Sequence, residues 1–576
     1  MKTLRLALLA GALTGLIPMS AAAQDATTPG ALTTPYPTLT NLSIEWAIAG
    51  DDNLNGVVTL RYRPTGTPAW KNSLPLRRIP AGSNEGFSWD NKHSGSVFNL
   101  ATDTEYEIEL TLTDPDGGSE TRTTTVRTRP VPQASPTGTE KPVTPATLSQ
   151  VAGSAVPGDI LLLADGQYAG FTISQDGNQT EPIVVRAQTR GAAVVNGDVR
   201  ADGHNYIYFE GLTVNGKIKF NNAIGITVRY CTINTPDDGI VSMGGGSTNA
   251  YIADNVVLGP TVWTDAALGA SGDNLGEGIE LTGPGNVIEH NYLKGFRDAI
   301  STLEDSGAVN QVSIDILNND IEVGADDAIE ADFTMGNSRV MRNRITNSFV
   351  GLSSQPSLGG PAYFIRNVMY NVVYAPFKLH RSSVGDVALH NTLIKCGDAF
   401  RVATSDTWSQ AYFRNNLFIG GQGGGTYGGY SNGSGRVAQL EAADSTCQFD
   451  YDGYASIGTG TFEGRIGSDT FSSLLEMQAN TTEANAVEVD MSIFAQAVAF
   501  LADGPFPERA IPDLRLAAGT AAIDKGQVLA NINDNYSGAA PDLGAYELGD
   551  DLPIYGPRVT DNVAPQAPTG LTLIAK

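Results

Sequence analysis

Cysteine is scarce in these 576 residues: Cys231, Cys396 and Cys447 lie far apart. That excludes a disulfide framework and any zinc-type Cys/His spacing. An odd count leaves at least one cysteine without a partner in the chain, and such a residue packs as a small buried hydrophobe. Bases are also few, 36 Lys and Arg against 62 Asp and Glu, for a net charge of −26. So acidic a chain repels nucleic acid and anionic membrane surfaces. Beyond the N-terminus no apolar run approaches the roughly 20 residues that cross a bilayer. The N-terminus itself has Lys2 and Arg5, an apolar stretch from Leu6 to Pro18, and small residues Ala21 and Ala23. This is the pattern of a secretory signal over 1–23, with a secreted or periplasmic mature chain. Its loss removes two bases, giving 34 − 62 = −28.

What is present is short alternation and regular repetition. Residues 36–130 contain "LSIEWAI", "VVTLRYR", "TEYEIELTLTD" and "TRTTTVRTR", separated by turn-rich "GDDNLNG" and "DPDGG". Alternation in short runs predicts a β-sandwich. With Trp46, Trp70 and Tyr106 in "LATDTEY", the segment resembles a fibronectin type III domain, Tyr106 standing as the tyrosine-corner residue. A proline-rich stretch over 131–145 reads as a flexible linker isolating this domain. The remaining divisions are coils over 146–420, further coils and a cap over 421–548, and a tail over 549–576.

Aligning "YCTINT", "ADNVVL", "EHNYLK", "LNNDIE", "MRNRIT", "IRNVMY", "LHNTLI" and "RNNLFI" puts Cys231, Asn255, Asn291, Asn319, Asn343, Asn367, Asn391 and Asn416 at one position. The steps are 24, 36, 28, 24, 24, 24 and 25 residues. Periods of this size mark solenoids. The units are rich in Val, Ile and Phe without helical periodicity, so strands stack on strands and the asparagines form an amide ladder. "PGDILLLADGQYAGFTIS", "EPIVVRAQTRGAAVVNG" and "DKGQVLANINDNYSGAAPDLGAYELG" resemble secreted right-handed parallel β-helix proteins over roughly residues 145–548. The fold class is therefore all-β: a right-handed parallel β-helix preceded by a small fibronectin-like sandwich. The resemblance implies a polysaccharide as substrate.

A second strand follows each ladder position. Ile279, Ile300, Ile329, Leu352, Phe377 and Phe400 share one inward column. By alternation the next column points outward: Glu280, Ser301, Glu330, Ser353, Lys378, Arg401. Two residues further on comes Thr282, Leu303, Asp332, Gln355, His380, Ala403. Glu330 and Asp332 should stand about 6.6 Å apart on one strand face. Glu280, Gln355, Lys378, His380 and Arg401 then line the groove as contacts for an anionic substrate. His204, His290 and His390 read as structural.

Asp326-Asp327 and Lys378-Leu379-His380, with Arg297-Asp298 one coil before, resemble the Asp-Asp and Arg-x-Lys motifs of the polygalacturonase family. Phe349-Val350-Gly351 stands where that family has Gly-His-Gly, so its histidine is missing. The resemblance implies catalytic roles for Asp298, Asp326 and Asp327, beside Glu330 and Asp332. The favoured reading is a glycoside hydrolase cutting within an acidic polysaccharide with paired carboxylates and no cofactor. The alternative is a polysaccharide lyase or epimerase, with Lys378, His380 and Arg401 as proton-transfer groups and calcium on Glu330 and Asp332. Lyases of the chondroitinase and alginate-lyase type carry a lysine shortly after an acidic pair. Here "EADF" is followed by "TMGNSR", which speaks against close membership. A non-catalytic glycan binder would need aromatic platforms, for which Trp408 and Tyr412 are the candidates.

Overall fold

The computed structural model describes residues 24–308, 310–458, 461–499 and 504–558. The expected signal segment 1–23 and the part of the expected tail from 559 lie outside the described residues. Alternating side chains fold residues 28–127 into two antiparallel sheets. One sheet joins Thr28–Thr33, Leu42–Ala49, Lys92–Val97 and Arg77–Ile79. The other joins Glu120–Arg127, Glu105–Thr113, Val57–Pro64 and Lys71–Asn72. Between them lie Leu42, Ile44, Trp46, Leu60, Ile108 and Leu110. The Tyr106 hydroxyl accepts the Ala101 N–H at 2.9 Å, the closure expected of a tyrosine corner.

The rest is a parallel β-helix. A 13-stranded sheet runs from Thr139–Val143 to Gln448–Asp450, and a 17-stranded sheet from Gly166–Thr172 to Val487–Glu488. The inward column is in register, Ile279 on Ile300, Ile300 on Ile329, Ile329 on Leu352 and Leu352 on Phe377. Along the buried ladder, each asparagine Oδ1 accepts the backbone N–H and the side-chain amide of the asparagine one coil earlier, at 2.8–3.1 Å. The second amide hydrogen goes to a backbone carbonyl of the earlier coil, as Asn343 does to Ile316 at 2.9 Å. Every polar atom of this buried row is thus matched. Asp452 ends the ladder, accepting from Asn416 at 2.6 and 2.9 Å. The three cysteines are buried.

The stretch 131–145 differs from a linker. Its second half, Thr139–Val143, pairs with Asp159–Leu163 as the first strand of the solenoid. The sandwich is not a loose appendage either. Its strands Leu42–Ala49 and Lys92–Val97 lie against the 13-stranded sheet, where Arg339 and Asp315, both fully buried, pair at 2.5 Å. Thr38 and Asn41 donate to Asp315 at 2.5 and 2.8 Å. Arg339 donates to the Ser43 and Ser96 hydroxyls at 2.9 and 3.0 Å. Phe98, fully buried, meets Tyr363 edge-on at 5.0 Å. The start of the assigned tail is docked too: Arg558 pairs with Asp254 at 2.6 Å.

Candidate active site

The outward column pairs as the repeat predicts, Glu280 with Ser301, Ser301 with Glu330, Glu330 with Ser353, and Ser353 with Lys378. It is not solvated. Glu280, Ser301, Glu330, Ser353 and Asp332 are all buried, Asp332 completely. Lys378 explains part of this. Its side chain reaches back across two coils, contacts Asp327, and lies 3.4 Å from Glu330 Oε1.

Asp327 would point inward by strict alternation, two residues before Ile329. Instead Ala328 joins Ile329 in the coil interior, and the Asp327 carboxylate meets the Lys378 ammonium of the outward column. The Asp327 N–H donates to Asp298 Oδ1 at 2.6 Å. Arg297, half exposed, stands 3.5 Å from Asp298 and 3.9 Å from Asp326. One oxygen each of Asp298, Asp327 and Glu330 lies within 4.8 Å of the others, and the same holds for Glu304, Glu330 and Asp332. Glu330 is common to both groups.

These acids repel each other in a place with little water. Burial, then Glu277, Asp327 and Asp326, holds the Asp298 carboxyl well above the usual range. Burial, then Asp298, Asp332 and Asp327, does the same to Glu330. Asp326 is pushed up to about 7 by burial and Asp327, and Asp332 to about 7 by burial with Asp327 adding. Glu277 rises to about 8 through burial and Glu280. Burial alone would lower the Lys378 ammonium, but Asp327, Asp332, Glu330 and Asp326 overcome it and hold the lysine protonated. One lysine and a half-exposed arginine do not neutralise this cluster, and Asp327 Oδ1 and Asp332 Oδ2 are buried with no hydrogen-bond partner. Unmatched buried oxygens of this kind fit a hard divalent cation, which takes carboxylate ligands.

The remaining expected residues fall in different places. Asp332 lies past the strand end and accepts the Ser353 hydroxyl at 2.5 Å and the Gln355 N–H at 2.7 Å. Gln355 thus joins the centre through its backbone. Glu280 faces the other way: burial and Asp238 raise it to about 7, against Lys217. His380 is neutral near pH 7, since burial and Lys378 depress it to about 4, and its Nε2 is buried without a partner; it is not the substrate-binding cation expected. Arg401 is turned away, donating to Ser431 O at 2.6 Å and stacking 5.0 Å over the Tyr374 ring. Trp408 is fully buried in the coil interior, and Tyr412 carries Arg77 and Arg414 on its ring. Neither is a sugar platform.

Four residues of the site escaped the sequence reading. Glu277 and Arg297 sit in "EGIE" and "FRDAI", and Glu277 pairs in register with Asp298, so stepping two residues back from the isoleucine column would have found it. Arg381 ion-pairs with Glu304 at 3.5 Å and Asp305 at 3.3 Å; Glu304 and Arg381 lie in turns outside any column, and no repeat signal marks them.

The family model for chondroitinase B matches residues 143–237. No curated protein matches in sequence. Among solved structures, the crystal structure of pectate lyase Pel9A is similar at 16% identity, TM-score 0.40, covering 72% of this chain and 98% of that one. The structure of the PL6 family alginate lyase AlyGC is similar at 14% identity, TM-score 0.38, covering 60% of this chain and 57% of that one. The match to the chondroitinase B family model overturns the glycoside-hydrolase expectation and favours the lyase alternative.

Proposed function

We propose that the protein is an exported polysaccharide lyase acting on an acidic, uronate-containing polysaccharide. The observation that carries this reading is the Lys378 ammonium seated on Asp327 and Glu330. The lysine missing after "EADF" is supplied from two coils further along, so the sequence argument against a lyase falls away. The first coils' similarity to the chondroitinase B family model supports the same reading. Export rests on Lys2, Arg5 and the apolar stretch to Pro18.

In this scheme Lys378 takes the proton from C5 of a uronate, as the neutral amine it would become once a divalent cation answers the acids that otherwise hold it protonated. The C–H electron pair forms the C4=C5 double bond, the C4–O bond breaks, and the leaving oxygen takes a proton from solvent water, to which the Lys378 ammonium returns the one it took. Asp298, Asp327 and Glu330, whose oxygens converge, are the residues that would hold a divalent cation such as calcium. When bound, that cation supplies the charge that neutralises the substrate carboxyl and makes the C5 proton acidic. Arg297, half exposed beside Asp298 and Asp326, faces the same carboxyl. His380, neutral and next to the lysine strand, lines the approach.

The test is product chemistry. The full chain is incubated with alginate, polygalacturonate and dermatan-type glycans, with calcium or with chelator. Ultraviolet-absorbing unsaturated ends are expected, and chelation should suppress them. New reducing ends without absorbance would defeat the proposal.

A further inference from the structure

The sandwich domain reaches the acidic centre through one hairpin, Gly82–Asn84 paired with Phe87–Trp89. The Asn84 amide donates to the Arg381 carbonyl at 2.7 Å and the Ser382 carbonyl at 3.2 Å. Those two residues sit in the left-handed region, φ 51° and 56°. A side chain other than glycine is strained there. The turn is therefore held from outside: by Asn84 on its carbonyls, and by Asp406, which accepts the Arg381 N–H at 3.2 Å. The hairpin also fixes what lies under the guanidinium. Phe87 meets Phe333 edge-on at 6.1 Å, and Arg381 lies 5.5 Å over the Phe333 ring. Trp89 packs on Gly359, where a Cβ would come within 2.8 Å of the indole.

Arg381 stands where a second substrate carboxylate would be met. It follows His380 directly and is three residues from Lys378. Its partner Glu304 belongs to the carboxyl group that includes Glu330 and Asp332. The side chain is one-third exposed, and its ion pairs at 3.3 and 3.5 Å are looser than a bidentate guanidinium–carboxylate contact. We infer that Arg381 binds a carboxylate of the polysaccharide next to the reacting unit, and that the sandwich hairpin, through Asn84 and Phe87, is what positions it. The N-terminal domain is then a working part of the site and not a detachable accessory. This rests on the lyase reading for its substrate, an anionic polysaccharide.

The test compares Asn84→Ala, Arg381→Ala, Arg381→Lys and the Asn84→Ala/Arg381→Ala double variant in the full chain. Arg381→Ala should raise KM about tenfold with kcat nearly unchanged, and Arg381→Lys should recover part of the loss. Asn84→Ala should raise KM about threefold in the natural background and have no effect when Arg381 is already alanine, the mark of a shared contact. Calorimetric binding of short oligogalacturonate and oligoalginate should follow the same order and lose salt dependence with Arg381. Additive effects of Asn84→Ala and Arg381→Ala would overturn the inference. So would loss of thermal stability and kcat in Asn84→Ala with KM intact. If no unsaturated product forms with any glycan but oligouronate binding still weakens in Arg381→Ala and Asn84→Ala, the lyase reading fails while the positioning of Arg381 stands.

Discussion

Asp315–Arg339 and Asp327–Lys378 are both ion pairs between coils of one solenoid, and both acids are fully buried. Their surroundings differ. Around Asp315 the acceptors are met by Thr38, Asn41 and Arg339, and the guanidinium is met by Ser43 and Ser96, with only its Nη2 unmatched. One charge answers one charge, and the sandwich closes over the pair. Around Lys378 several acids share one ammonium, and Asp327 Oδ1 and Asp332 Oδ2 have no hydrogen-bond partner. Equal burial therefore has two meanings. A pair with matched charge and matched hydrogen bonds joins two domains. A cluster with surplus charge and unmet oxygens stores repulsion that a cation or a substrate can relieve.

The sharpest way to separate the two is to remove the cation of each. Lys378→Ala should lower turnover by about 10²–10⁴-fold, the contribution of a positioned proton-transfer group. Lys378→Arg keeps the charge among the acids but cannot act as a base. It should therefore stay folded by circular dichroism and remain just as inactive; an active Lys378→Arg variant would remove Lys378 from the proton transfer. At the other pair the loss should appear in stability. Arg339→Met leaves Asp315 buried and uncompensated, which costs about 3–5 kcal/mol, read as a shift of the denaturant midpoint. The protein that remains folded should keep its kcat. A double replacement of Asp315 and Arg339 by apolar residues should recover most of the stability. Failure to recover would mean that the serines and Asn41 around the pair need it for their own geometry.

A smaller effect is expected from pH. Asp326 and Asp332 near 7 and Glu277 near 8 lie above their ordinary values of 3.8 and 4.5. The fold thus holds protons that the unfolded chain releases. Their stabilising contribution is complete below about 4 and drains away as the pH rises through about 7–8. Calcium should reverse this, with little effect on the melting temperature near pH 4 and a rise of several degrees near pH 8 at about 100-fold excess over Kd. In Asp298→Asn/Glu330→Gln the calcium effect should vanish. An equal calcium effect at both pH values would place the ion elsewhere.

Much of the molecule could be read from its residues. The ladder asparagines and the isoleucine column were legible because each obeys a rule with a fixed period, 24 residues between coils and two within a strand. The pairing of Glu330 with Ser353 and Lys378 followed from the same counting. What escaped was whatever a period does not govern. Asp327 left the strict alternation, because Ala328 and Ile329 both turn into the coil interior. Lys378 reached its acids with a four-carbon stem longer than the spacing between coils. Burial of the outward column came from neighbours on other coils and from covering turns, so Glu330 and Asp332 were expected in water and are not. Arg381 needed the sandwich to be placed on the coil, against the reading of 131–145 as a flexible linker.

The ladder also bears on how such a chain can change over generations. Each asparagine fixes where its coil begins relative to the coil before, so extra residues between rungs need not shift the register of the strands. The step from Asn255 to Asn291 is 36 residues instead of 24 and carries an extra loop around Trp263 that packs on Val323 and Phe349, yet the two amides still meet at 2.9 Å. Insertions of this size cost little closure entropy. The solenoid can therefore accept new loops beside the site one at a time, each tried without disturbing the coils on either side, and its specificity can drift while its backbone stays the same.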